Sequence, residues 1–138
     1  MHKILVITPT YNESSNIEYL LNEILKINSI SLDVLVVDDG SPDGTANLVK
    51  NHNEFLHRVF LLERPSKLGL GSAYCAGFKW AINKKYTKII QIDADLSHNP
   101  KYIVDLLSYS DEYELVIGSR YIKGVNVVNW PMSRLILS

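Results

Sequence analysis

The chain has 138 residues, 46% of them hydrophobic and 21% charged, which fits one soluble globular domain able to bury a real core. Fourteen basic residues against fifteen acidic ones give a formal net charge of −1, which offers no support for broad nucleic-acid binding. No apolar run approaches the roughly 20 residues that span a bilayer, and the single cysteine, Cys75, excludes an internal disulfide and fits a reducing compartment.

Met1-His2-Lys3 leads straight into an apolar run, so no signal peptide is expected. Ile4–Thr8 is rich in β-branched residues and reads as the first strand, broken by Pro9 in the segment TPTYNESSN. Ser15 and Glu18 have capping-box spacing. Ile17, Leu20, Leu21, Ile24 and Leu25 then recur at helical period, predicting a helix. Leu32–Val37 is nearly all apolar, as expected of a strand covered on both faces. It runs into Asp38-Asp39-Gly40-Ser41-Pro42-Asp43-Gly44-Thr45, dense turn chemistry with more polar oxygens than a turn alone requires. A short helix is predicted from Thr45 to about Asn51.

Val59–Leu62 is the third predicted strand, followed by Arg64-Pro65-Ser66-Lys67-Leu68-Gly69-Leu70-Gly71. That loop is glycine-rich and carries a cation at Lys67. It matches neither the P-loop pattern nor the dinucleotide fingerprint, and the turn after the first strand lacks their glycines, which excludes a Walker NTPase and an NAD enzyme. A helix is predicted from Ser72 to about Lys84. Its small residues Ala73, Ala76, Gly77 and Ala81 permit close approach to a sheet, Phe78 and Trp80 read as core, and Cys75 reads as packing. The apolar run Ile89–Ile92 is the fourth strand and delivers Asp93 and Asp95. Pro100 opens another helix with Ile103, Leu106 and Leu107 on one face. Leu115–Ile117 reads as a fifth strand ending in Gly118-Ser119-Arg120-Tyr121. Gly124, Asn129-Trp130-Pro131 and a helical run over Ser133–Ser138 follow.

Strand–helix alternation predicts an α/β fold, a Rossmann-like and mostly parallel sheet with helices on both faces. Each charged cluster falls just after a strand. Asp38, Asp39, Lys67, Asp93, Asp95 and Arg120 would therefore converge on the carboxyl edge, where open α/β sheets bind ligands. Asp93 and Asp95 offer two hard oxygen ligands suited to Mg²⁺ or Mn²⁺ bridging a diphosphate. A strand end followed by an Asp N-cap has the same short pattern. No acidic residue follows Glu114, while Arg120, Lys123 and Arg134 do, so the C-terminal stretch is locally basic.

The segments TPTYNE, VVDDGSPDGT, KLGLGSAY, DADLSH, GSRY and NW…R, in this order from Ile4 to Ser138, resemble inverting family-2 glycosyltransferases of GT-A fold, most of all the polyprenol (dolichol) phosphate mannosyltransferases. The resemblance implies a single catalytic domain over residues 1–138, incomplete at its C-terminus. It implies nucleotide contacts from Pro9, Tyr11 and Glu13, base contacts from Val37 and Asp39, and a nearby Lys67. Asp93, Ala94 and Asp95 match the diphosphate and metal site. Arg120 and Arg134 match arginines that handle donor and acceptor phosphates, with Ser138 assisting. Where the family often has a glutamine as a further metal ligand, this chain has Ser97, a weaker one; His98 is an adjacent candidate or a polar residue at a helix start.

The implied reaction is inverting transfer of mannose from GDP-mannose to a polyprenyl phosphate, with Mg²⁺ or Mn²⁺ as cofactor and Asp95, Arg120 and Arg134 as the residues that carry it. A phosphate acceptor, whose second pKa is near roughly 6, needs no strong general base. That agrees with the lack of carboxylates after Glu114. The alternatives are transfer of another sugar, from UDP-glucose or UDP-N-acetylglucosamine, to a lipid phosphate, and a non-catalytic nucleotide-sugar-binding fragment working with a partner chain. A plain flavodoxin-like fold would leave the convergent Asp and Arg clusters unexplained. The expected location is the cytoplasm, at the cytosolic face of a membrane, through peripheral association or a membrane partner, with no nucleic acid bound.

Overall fold

The computed structural model of the protein describes residues 2–119. Its elements are β1 (Ile4–Thr10), α1 (Ile17–Leu25), β2 (Leu32–Asp38), α2 (Thr45–Lys50), β3 (Val59–Glu63), α3 (Leu70–Asn83) and β4 (Lys88–Gln91). A 3₁₀ turn at Pro100–Tyr102 then leads into α4 (Ile103–Tyr109), with the Asn99 side chain accepting from the Lys101 N–H. By compactness the chain divides into two units, Met1–Val104 and Asp105–Ser138. The sheet and everything described around it belong to the first unit. In the second, backbone bonds from Ser110 to Leu107 and from Glu112 to Tyr109 close the end of α4.

The four strands are parallel in the order β3-β2-β1-β4. Both central strands are almost wholly buried, which explains why their sequences are apolar at successive positions rather than alternating. One face, built on Leu5, Ile7, Leu35 and Val37, packs against α3 through Ala73 and Ala81, with Phe60, Leu62, Phe78 and Trp80 filling around them. Trp80 lies between Phe60 and Tyr86, ring centroids 5.4 and 5.9 Å away, so the α3 aromatics are core, as expected. The opposite face, including Val6, Val34 and Val36, is covered by α1 and α2; Ile17, Leu20, Leu21 and Ile24 of α1 are fully buried.

Ala73, Gly77 and Ala81 are the buried residues of α3, spaced by four so that one stripe meets the sheet. A Cβ on Gly77 would lie 2.8 Å from Ile7 Cγ2; only glycine lets the helix sit this close. Cys75 falls off that stripe and is exposed, which corrects its reading as a packing residue.

Three local expectations are also revised. β1 does not stop at Pro9 but runs through it to Thr10. Asp39 N–H bonds to Thr10 O on the β2 side, and Ile92 N–H bonds to Ile7 O on the β4 side. By the alternation of a parallel ladder, Pro9 therefore faces β4, whose pairing with β1 ends at Ile7↔Gln91. The missing N–H costs no ladder bond there. The capping box is absent: α1 starts after Asn16, which makes no side-chain cap bond, and the Glu13 carbonyl instead accepts from the Asn16 and Ile17 N–H groups. Leu115–Ile117 is not a strand. A three-residue run with no paired neighbour among the described residues has no ladder bonds there to offset the entropy of extending it. The elements expected after Ser119 lie outside the described residues.

Candidate functional site

The chain steps outward from β1 to β2 to β3, then returns to place β4 on the other side of β1. That reversal is the switch point at which open α/β sheets leave a crevice beyond their carboxyl ends. A cleft of about 300 Å³ lies there. Pro9, Thr10, Tyr11 and Glu13 line it from the end of β1 and the loop beyond. Asp39 lines it after β2, Lys67 and Gly69 between β3 and α3, Leu70 and Ala73 in the first turn of α3, and Asp93, Ala94 and Asp95 after β4.

At one end Asp39 is held by Arg64. The guanidinium donates from Nε to Oδ1 at 2.6 Å and from Nη2 to Oδ2 at 2.8 Å, a two-pronged bond that matches the planar fork to the carboxylate. The Asp39 side chain is buried, at 7% exposure, and that of Arg64 is partly buried, at 10%; the bond to Asp39 pushes the Arg64 guanidinium up from its ordinary value. Arg64 also donates to Ser72 Oγ at 2.7 Å and toward the Gly69 carbonyl at 3.4 Å, tying the start of α3 to the same group. Gly40, with φ of +69°, brings the loop after β2 against the Pro65 carbonyl; a Cβ there would lie 2.9 Å from that oxygen. Lys67 Nζ lies 4.7 Å from the centroid of the Tyr11 ring, over its face.

The remaining oxygens of the DDGSPDGT segment do not face the cleft. They clasp the loop after β1. Thr10 Oγ1 donates to Asp38 Oδ1 at 2.7 Å, the Asn12 N–H to Ser41 Oγ at 2.9 Å, the Glu13 N–H to Thr45 Oγ1 at 3.1 Å, and the Ser14 N–H to Asp43 Oδ2 at 3.0 Å. The Thr45 hydroxyl, against some cost of burial and with help from Ser14, holds the Asp43 carboxyl well below the usual carboxylate range. Asp38, expected at the cleft, is thus a buried loop anchor.

At the other end lie Asp93 and Asp95. Tyr74 of α3 donates its phenol to Asp93 Oδ1 at 2.8 Å. Burial, reinforced by that bond, pushes the phenol far above its ordinary range, so it remains a donor at any working pH. Asp95 Oδ1 accepts from the Ser97 N–H at 3.0 Å and from Ser97 Oγ at 2.5 Å. Burial raises the Asp95 carboxyl, but the Ser97 bonds and the nearby His98 outweigh it and bring the net value below the ordinary one. Leu96, with φ of +63°, makes the turn that brings Ser97 back to Asp95.

Each carboxylate therefore has Oδ1 tied internally and Oδ2 without a partner among the described residues. No group of three or more His, Cys, Asp or Glu side chains capable of holding a metal occurs among the described residues. Two carboxylates fit Mg²⁺ or Mn²⁺ nonetheless, because such ions usually take one or two carboxylates and complete their shell with substrate phosphates and water. His98 does not join this donor set. Its Nδ1 instead accepts from the Asp93 N–H at 3.1 Å.

The sequence profile of glycosyl transferase family 2 matches residues 5–137. The chain belongs to glycosyl transferase family 2. It is 43% identical to polyprenol monophosphomannose synthase of Mycolicibacterium smegmatis over 99% of its own length and 52% of the relative's. It is 42% identical to undecaprenyl-phosphate mannosyltransferase of Micrococcus luteus, again over 99% of its length and 56% of the relative's. The chain thus spans about half the length of these relatives. Among solved structures it resembles the mannosyltransferase PcManGT of Pyrobaculum calidifontis in complex with GDP-Man and Mn²⁺. That match has a TM-score of 0.53 and 33% identity over 57% of this chain and 24% of that one. It also resembles S. aureus TarS 1–349 in complex with UDP, with a TM-score of 0.69 and 26% identity over 91% of this chain and 38% of that one.

Of the site residues expected for a family-2 chain, Pro9, Tyr11, Glu13, Asp39, Lys67, Asp93, Ala94 and Asp95 all line the one cleft. Val37 does not: it is fully buried in the core beneath α3. Ser97 reaches the site as a hydrogen-bond donor to Asp95, which is a different task from ligating a metal. Arg120, Arg134 and Ser138 lie outside the described residues. Two site residues had no expected role, Arg64 and Tyr74. Arg64 was legible from pairing: with Asp38 opposite Glu63 in adjacent strands, the next residue of each, Asp39 and Arg64, must be neighbours. No helix of the described residues is long and apolar enough to cross a membrane.

Proposed function

We propose that the chain forms the donor-binding part of an enzyme that transfers mannose, with inversion, from GDP-mannose to a polyprenyl (dolichyl) phosphate. What carries the reading is that two relatives above 40% identity over 99% of this chain are named for mannosyl transfer to such lipids. The cleft supplies matching chemistry. Tyr11 offers a ring face, and Pro9 and Glu13 complete the pocket for the nucleoside. The Asp39 carboxylate, fixed by Arg64, accepts from the N–H edge of the base. Asp93 and Asp95 would hold a divalent ion, with Ala94 between them and Lys67 adding positive charge at the cleft.

Bound Mg²⁺ or Mn²⁺ would supply Lewis-acid stabilisation of the leaving diphosphate. Arg120 and Arg134 offer planar, permanently charged forks for the phosphates of donor and acceptor, assisted by Ser138. The lipid phosphate is largely ionised at neutral pH and attacks without a strong base. The reaction belongs at the cytosolic face of a membrane, where the lipid is presented.

Calorimetric titration with GDP-mannose, with and without Mn²⁺ and with UDP-glucose as comparator, tests the donor. Metal-dependent binding selective for GDP-mannose supports the reading and leads to a transfer assay with a short polyprenyl phosphate. Preference for UDP-glucose moves the assignment to a UDP-sugar transferase, a reading favoured by the likeness to UDP-bound TarS over 91% of the chain. Binding without transfer assigns the chain to a nucleotide-sugar-binding piece that requires a partner.

A further inference from the structure

We infer that Tyr74 is a positioning residue of the metal site. It holds Oδ1 of Asp93 from α3, so that Oδ2 alone is offered to the divalent ion on the donor diphosphate. The inference rests on the metal reading of Asp93 and Asp95 given above.

The two carboxylates are fixed in different ways. Asp95 is tied by Ser97, two residues on in the same turn. Asp93 has no such local donor for its side chain. Its hydroxyl partner comes from Tyr74, 19 residues earlier and on a separate element. The ring of Tyr74 stacks on Phe78 at 6.2 Å with a 25° interplanar angle, a contact that phenylalanine would make equally well. The hydroxyl adds only the 2.8 Å bond to Asp93. At the same time the Asp93 N–H is anchored on His98 Nδ1. Backbone and side chain of this aspartate are thus both held, and Oδ2 is the oxygen with no partner among the described residues.

The placement of the helix makes this contact rigid. Gly77 seats α3 against Ile7, and Arg64 fixes its first turn through Ser72. Partners that orient a metal-binding side chain typically matter by 10–100-fold in metal affinity. Without the phenol, Asp93 is free to turn about its own side-chain bonds and to present either oxygen or neither.

The test is Tyr74→Phe in the 138-residue chain, with Mn²⁺ binding in saturating GDP read from the EPR signal of free Mn²⁺. The expected result is a rise of roughly 10–100-fold in the Mn²⁺ dissociation constant, with metal-free GDP affinity and the thermal midpoint unchanged. In an Asp93→Asn background the same change adds no further loss. In a transfer assay the Mn²⁺ concentration for half-activation rises while kcat at saturating Mn²⁺ recovers. Wild-type chain that binds GDP but takes up no Mn²⁺ overturns the metal reading and this role with it. Wild type that takes up Mn²⁺, with Tyr74→Phe binding it equally well, overturns the positioning role alone. An equal loss in the Asp93→Asn background also overturns it, because the phenol would then be acting through something other than Asp93.

Discussion

Arg64→Ala should show how firmly the Asp39 end of the cleft is built. The substitution removes two charge-assisted hydrogen bonds, at 2.6 and 2.8 Å, from a carboxylate that is 7% exposed. Bonds of this kind contribute about 1.5–3 kcal/mol each, and removing one partner of a buried ion pair destabilises by roughly 3–5 kcal/mol. Asp39 also lines the cleft, so water can reach it once the guanidinium is gone, and the low end, about 3 kcal/mol, is expected. With a urea dependence of about 2 kcal/mol per molar, the unfolding midpoint falls by roughly 1.5 M. The assay is urea unfolding followed by circular dichroism. The double variant Arg64→Ala/Asp39→Asn should lose less than Arg64→Ala alone, because no unpaired charge is left buried. A midpoint shift below about 0.3 M for Arg64→Ala would falsify the argument. It would mean that the pair behaves like an exposed, screened one worth at most about 1 kcal/mol.

Asp95→Asn should abolish Mn²⁺-dependent gain in GDP-mannose affinity while leaving the unfolding midpoint within about 0.3 M of wild type, as expected of an exposed site; calorimetry showing an undiminished Mn²⁺ effect would remove Asp95 from the metal site. Asp43→Ala should lower stability in a pH-dependent way. The folded Asp43 carboxyl ionises at lower pH than in the unfolded chain, where the value is about 3.9, so its contribution is complete above that value and is lost as pH falls through the folded one. The gap in urea midpoint between wild type and variant should stay constant from pH 7 to about 5 and narrow on further acidification; a gap that widens in acid contradicts the clasp. Gly77→Ala should lose about 1 kcal/mol, with overpacking of roughly 1–3 kcal/mol against Ile7 exceeding a helix-propensity gain of about 1 kcal/mol. A higher thermal midpoint for that variant would show that α3 can lift off the sheet without loss.

Four strands and four α-helices were legible because their apolar periods are dictated by burial on known faces. Ile17, Leu20, Leu21 and Ile24 announce one covered side of a helix, and all four are fully buried. Convergence of Asp39, Lys67, Asp93 and Asp95 on one cleft followed from parallel topology, since every strand then delivers its next residue to the same edge. The division of labour within the edge was not legible. Asp38 and Asp39 are adjacent and identical in type, yet they sit on opposite sides of the strand end. One bonds Thr10 and Ser41, the other Arg64. Only register decides which faces the cleft. The fifth strand failed because Leu115–Ile117 has strand composition without a partner strand among the described residues, and β composition alone reports fit to a sheet that must already be present.

Helix α3 links the two chemical ends of the cleft, and this constrains how lesions should spread. Its first turn is tied through Ser72 to Arg64 and so to Asp39. Two residues further on, Tyr74 reaches Asp93. Both contacts are made by a helix whose distance from the sheet is set by Gly77 against Ile7. A change that lifts α3 must therefore disturb the Asp39 end and the Asp93 end together. A change in the clasp of Asp43, Thr45 and Ser14 should loosen only the loop that carries Tyr11 and Glu13. The two classes separate in binding. Loss of metal-free GDP affinity alone marks the clasp, whereas combined loss of GDP and Mn²⁺ affinity marks the helix. A clasp variant that weakens Mn²⁺ binding as much as a Gly77 variant does would show that the loop, and not α3, sets the spacing between the two ends.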